Sequence, residues 1–88
     1  MQILWDSGKN KKLIAQRGLS LETFASLILE KKYHVVLKNP VREDQKIFVI
    51  PFNDYTYVVP FIIDREKNII LKTVFPSRKY HKMYGGHK

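Results

Sequence analysis

Apolar positions along this chain change their spacing once, near residue 33, and the change separates a helical half from a strand half. In the first half, Gln2 to Trp5 is a short apolar start. Asp6 then has the side chain of a helix cap ahead of Ser7 to Gln16, a segment whose Leu13 and Ile14 form only a narrow apolar stripe. Gly18 supplies the left-handed residue that ends it. A second helix start is more strongly marked. Ser20 is a capping residue, flanked by Leu19 before it and Phe24 four positions after it, the spacing of a hydrophobic staple. Leu21, Phe24, Ala25, Leu27 and Ile28 then fall on one face, so this helix is expected to pack on a sheet.

Beyond Tyr33 the residues are β-branched and aromatic. Tyr33 to Leu37 reads as a short strand closed by Asn39 and Pro40, and Val41 to Gln45 reads as a charged loop. Lys46 to Phe52 and Tyr55 to Ile63 read as two strands joined by Asn53 and Asp54, a pair that tolerates the positive φ angles of a tight hairpin. A second turn over Asp64 to Asn68 leads into Ile69 to Phe75. Pro51 and Pro60 lack the N–H a ladder needs and predict a bulge, an edge or a strand end. Pro76 and Ser77 break the last strand and start a short helix that stops at Gly85 and Gly86.

These elements predict one α+β domain over residues 1–88: two N-terminal helices packed on a three- to four-stranded antiparallel sheet, with a short basic helix at the C-terminal end. There is no cysteine, hence no disulfide framework and no thiolate metal site, and no pair of histidines stands at metal spacing. No metal or cofactor is expected. No apolar run approaches the roughly 18 residues of a membrane helix, so the chain is read as cytoplasmic.

Charge sharpens the picture. Sixteen Lys and Arg against eight Asp and Glu give a formal charge of +8, which favours RNA, DNA, an anionic surface or an acidic protein as partner. The segment from Lys72 to Lys88 concentrates this bias, with five Lys or Arg, two His, two Tyr and no Asp or Glu. In the last helix Tyr80, Met83 and Tyr84 are spaced to share one face, expected to dock. Arg78, His81 and Lys82 share another, expected to meet phosphate.

The ordered set Trp5, Asp6, Lys9, Leu13, Arg17, Gly18, Leu19, Ser20, Leu21, Glu22, Phe24 and Ala25 resembles the N-terminal signature of the BrnT family of type II toxin-antitoxin toxins. The element order resembles that family too. Arg17 stands where the family usually has His, and Arg78 and Lys79 are the positions that match its adjacent arginines. The resemblance implies a RelE-like ribonuclease fold and RNA cleavage without a metal. It further implies a cognate antitoxin with a ribbon-helix-helix domain, through which alone the pair meets operator DNA. Lys9 and Arg17 join Lys82, Tyr80 and Tyr84 as expected RNA contacts.

Cleavage of RNA without a metal needs a base for the ribose 2′-hydroxyl, an acid for the leaving oxygen and fixed positive charge for the phosphorane. Arg78 and Lys72 are expected to supply the charge, and His81 or Lys79 the proton transfer. An acidic segment of the antitoxin is expected to cover Lys72, Arg78 and Lys79. Two other classes fit the same residues. One is a non-catalytic RNA- or DNA-binding module with Phe48, Phe52, Tyr55, Tyr57 and Phe61 as a stacking platform. The other is a structural partner protein with a basic face.

Overall fold

The computed structural model describes residues 1–85, so the Gly86-His87-Lys88 tail lies outside the described residues. In chain order the elements are β1 (Ile3–Trp5), α1 (Ser7–Arg17), α2 (Leu21–Leu29), β2 (Val35–Lys38), β3 (Lys46–Phe52), β4 (Tyr55–Ile63), β5 (Ile69–Leu71), β6 (Phe75–Pro76) and α3 (Arg78–Tyr84). The six strands make one sheet in the order β1-β5-β4-β3-β2, with β6 also on β4. The α+β architecture matches the sequence reading, but the sheet is wider and mixed. The apolar start pairs in parallel with β5, Ile3 opposite Ile69 and Trp5 opposite Leu71, while the other pairings are antiparallel.

Local chemistry fixes the turns. The Asp6 side chain accepts the Lys9 N–H at 2.9 Å, Gly18 ends α1 at φ 67°, and Ser20 caps α2. Asn53 and Asp54 sit at φ 56° and 61°, as a two-residue hairpin between right-twisted strands demands. Asn10 is buried in α1, and its side-chain oxygen accepts the N–H of Leu21 at 2.8 Å, which locks the start of α2 to α1.

The unbroken apolar run Ile47-Phe48-Val49-Ile50 has a structural cause: β3 is covered on both faces. Phe48 and Ile50, with Val59, Phe61, Leu71 and Val74, pack under Leu13, Leu21, Phe24 and Ile28 of the two N-terminal helices. Ile47, Val49 and Val58 face the other way, against Tyr80 and Tyr84 of α3. Phe24 is the centre of the larger layer, fully buried with the rings of Phe52 and Tyr57 at 5.1 and 5.6 Å. Truncating such a ring costs about 3–5 kcal/mol. Ile14, expected on the buried stripe, is 47% exposed, because α1 touches the core mainly through Leu13.

The expected strand from Ile69 to Phe75 is two pieces lying end to end along β4. Lys72 N–H donates to Pro60 O at 2.8 Å. An antiparallel pair at this position normally exchanges two bonds, and Pro60 has no N–H to return. The ladder lapses until Phe75 comes opposite Val58.

Candidate functional site

Where the ladder lapses, a cleft of about 760 Å³ opens between α1 and the 39–45 loop. Lys9, Lys12 and Arg17 project into it from α1, Arg42 from the loop, and Lys72 from the strand break, with Pro60, Thr73 and Phe75 also in the lining. The lining holds five cationic side chains and no carboxylate. Helical spacing explains the α1 contribution: positions 9, 12, 13, 16 and 17 share one side of the helix. Leu13, from the same side, anchors it to the core. The loop is shaped by Asn39, whose side-chain oxygen accepts the N–H groups of Val41 and Arg42 at 2.9 and 3.2 Å. Its amide donates to the buried Gln45 side chain at 3.1 Å.

Asp6 stands at the edge of this positive field. Its carboxyl is held below the ordinary value chiefly by the Lys9 N–H, against an opposing effect of desolvation, with the Gly8 N–H and the charges of Lys9 and Lys72 adding to the lowering. Arg17 reaches the Val74 carbonyl with one guanidinium nitrogen at a long 3.5 Å, so it bridges α1 to the strand break.

A second cleft, of about 570 Å³, lies at the other end of β4 among His34, Tyr55, Thr56, His81 and Tyr84. His81 is half-buried there, its Nδ1 2.9 Å from Thr56 Oγ1 and its ring stacked on Tyr55 at 4.3 Å. Tyr84 stacks on His34 at 5.9 Å. Gly85 passes so close that a Cβ there would stand 2.5 Å from Thr56 Oγ1.

The structure thus gathers Lys9, Arg17 and Lys72, and parts them from His81 and Tyr84. Arg78, Lys79 and Lys82 are exposed on α3 and line neither of these clefts. Lys72 bonds to Pro60 and Ser77 to Thr56, four residues apart on β4, or about 13 Å at the usual strand rise. Lys72 lines the basic cleft and Arg78 does not. The docking face of α3 also differs from expectation. Tyr80 and Tyr84 do pack inward, but His81 accompanies them, and Met83 is 54% exposed. The seven-residue helix half-buries the stripe 80, 81 and 84, and position 83 falls off it. Tyr80 is used for packing, with Lys79 Nζ 5.2 Å from its ring centroid.

Sequence reading missed Lys12 and Arg42. Lys12 shares a face with Lys9 and was legible from spacing alone, whereas Arg42 enters only through loop closure. Among the described residues, no three His, Asp or Glu side chains are grouped to hold a metal ion, and no helix is long and apolar enough to cross a membrane.

No protein-family model and no curated protein matches the chain. Its fold is BrnT-like. It is similar to the crystal structure of the Brucella abortus ribonuclease toxin BrnT, with a TM-score of 0.64 and 25% identity, over 88% of this chain and 96% of that one.

Proposed function

We propose that this chain is the toxin of a toxin-antitoxin pair and an endoribonuclease that needs no metal, with the phosphate of an RNA strand held in the five-cation cleft. The observation that carries the reading is a cleft with only positive charge among its ionic lining groups, on a fold similar to that of a ribonuclease toxin. In the reaction the ribose 2′-oxygen attacks phosphorus, the bond to the 5′-oxygen breaks, and a proton moves from the first oxygen to a base and from an acid to the second. Arg17 and Arg42 supply fixed charge for the phosphorane, and the amines of Lys9 and Lys72 are the proton-carrying groups beside it. His81, held by Thr56 in the other cleft, is replaced in this role. Arg78, Lys79 and Lys82 lengthen the positive surface along which the strand runs. The antitoxin, with a ribbon-helix-helix domain for operator DNA, neutralises the toxin by laying an acidic segment over the same cleft.

The test is cleavage of a single-stranded RNA, with EDTA present, by wild type and by the Arg17→Ala/Lys72→Ala protein. Loss of one transition-state donor typically lowers turnover about 100- to 1,000-fold, and at least that is expected here with folding unchanged. Undiminished cleavage by the variant overturns the site, and activity abolished by EDTA overturns metal independence. A second reading, a binding module without catalysis, is favoured by the absence of any imidazole or carboxylate among the lining residues. Tight binding of RNA that stays intact selects it.

A further inference from the structure

Arg17 and Phe75 line the basic cleft and also a shallow depression of about 490 Å³ completed by Leu19, Tyr57 and Pro76. The two hollows are therefore continuous across one guanidinium and one aromatic ring. Their side chains differ: the first is lined by five cations, the second by Leu19, Tyr57, Phe75 and Pro76 around Arg17.

Phe75 is 37% exposed on the two-residue β6, fixed opposite Val58. Among the described residues it stacks on no other ring, unlike the phenylalanines of the core. Tyr57 beside it is held in place by Phe24 at 5.6 Å and Phe52 at 5.8 Å. A partly exposed phenylalanine at the lip of a cationic cleft suits a ligand with a flat apolar appendage next to an anion. In an RNA strand that ligand is a nucleotide, whose base has two π-faces.

We infer that Phe75, in a hollow that Tyr57 also lines, is a seat for one unpaired base adjoining the phosphate held by Lys9, Arg17 and Lys72. This inference rests on the cleft binding RNA. It makes the substrate single-stranded at that position, because a base inside a duplex has both faces covered. It also predicts little preference among bases, since every base has a π-face to stack on the ring.

The experiment is fluorescence anisotropy with a short 2′-O-methyl RNA, which lacks the attacking hydroxyl, and with copies made abasic at each position in turn. Wild type should lose roughly 5- to 150-fold in affinity at one abasic position, the span of a single base–aromatic stack. Phe75→Ala should bind the intact oligonucleotide as weakly as wild type binds that abasic copy, and the penalty for the missing base should vanish. Phe75→Leu, which keeps the apolar volume, should behave like Phe75→Ala, and Phe75→Trp should restore the penalty. A penalty that persists in both Phe75→Ala and Phe75→Leu overturns the seat. A penalty absent from wild type at every position does so as well.

The cationic cleft is tested separately by Lys9→Ala/Lys72→Ala, which should weaken intact and abasic oligonucleotides by the same factor. If that variant binds both as wild type does, or wild type binds neither, the phosphate reading fails and the seat falls with it. Weaker binding of an acidic aromatic peptide by Phe75→Ala, with the oligonucleotide penalty unchanged, assigns the surface to a protein partner and overturns the base seat.

Discussion

Removing Lys9, Arg17 and Lys72 together should flatten the salt dependence of RNA binding as well as weaken it. Each phosphate neutralised on a single strand contributes about 0.7 to the slope of log affinity against log salt. Five engaged cations give a slope of about −3.5, so affinity falls about 100-fold between 50 and 200 mM salt. With only Lys12 and Arg42 left the slope drops to about −1.4 and the fall to about 7-fold. The assay is a titration of labelled non-cleavable RNA at several salt concentrations. Its control is a protein lacking Lys11, Lys38 and Arg65, three exposed cations outside the cleft, which suffers the same loss of net charge. The control slope should stay near that of wild type. Equal slopes for the cleft variant and the control would refute a localised anion site and leave only a diffuse positive surface.

Asn10→Ala should destabilise the protein by about 1–3 kcal/mol in urea unfolding, because the buried N–H of Leu21 loses its acceptor; a change below a few tenths would mean that water replaces the amide. Asp6→Asn should lower the melting temperature at neutral pH. Since folding depresses the Asp6 pKa, its contribution is fully present above the unfolded value of 3.8 and disappears as pH falls through the lower folded value. The gap between wild type and variant should close in that acidic window, and a gap that is constant with pH would assign the effect to packing.

Features written in one or two residues were legible in the sequence. The caps at Asp6 and Ser20, the end of α1 at Gly18 and the Asn53-Asp54 hairpin each stand where their local chemistry put them. Partners distant in sequence were not. Ile3 to Trp5 is too short to declare itself a strand until Ile69 to Leu71 is beside it, and nothing in the sequence marks that pairing as parallel. The split at Pro60 was foreshadowed by the missing N–H, but its effect fell on the neighbouring segment as well as on β4 itself. Within the site, Lys9 and Arg17 entered through the family signature and meet Lys72 in space. His81 was placed on the wrong side of its helix because periodicity gives the faces of a helix and not which one meets the sheet. The hydroxyl of Thr56 and the ring of Tyr55, more than twenty residues earlier, settle that choice.

The walls of the basic cleft come from positions 9–17 and 39–45 and its floor from 60 and 72–75, so the hollow has no existence in a partly synthesised chain. β1 likewise waits for β5 before it has a neighbour to bond. A ribosome making this protein must therefore release residues 72–75 before the basic cleft is complete. Fragments truncated before Lys72 should lack the assembled cationic hollow, however much of α1 and the 39–45 loop they retain.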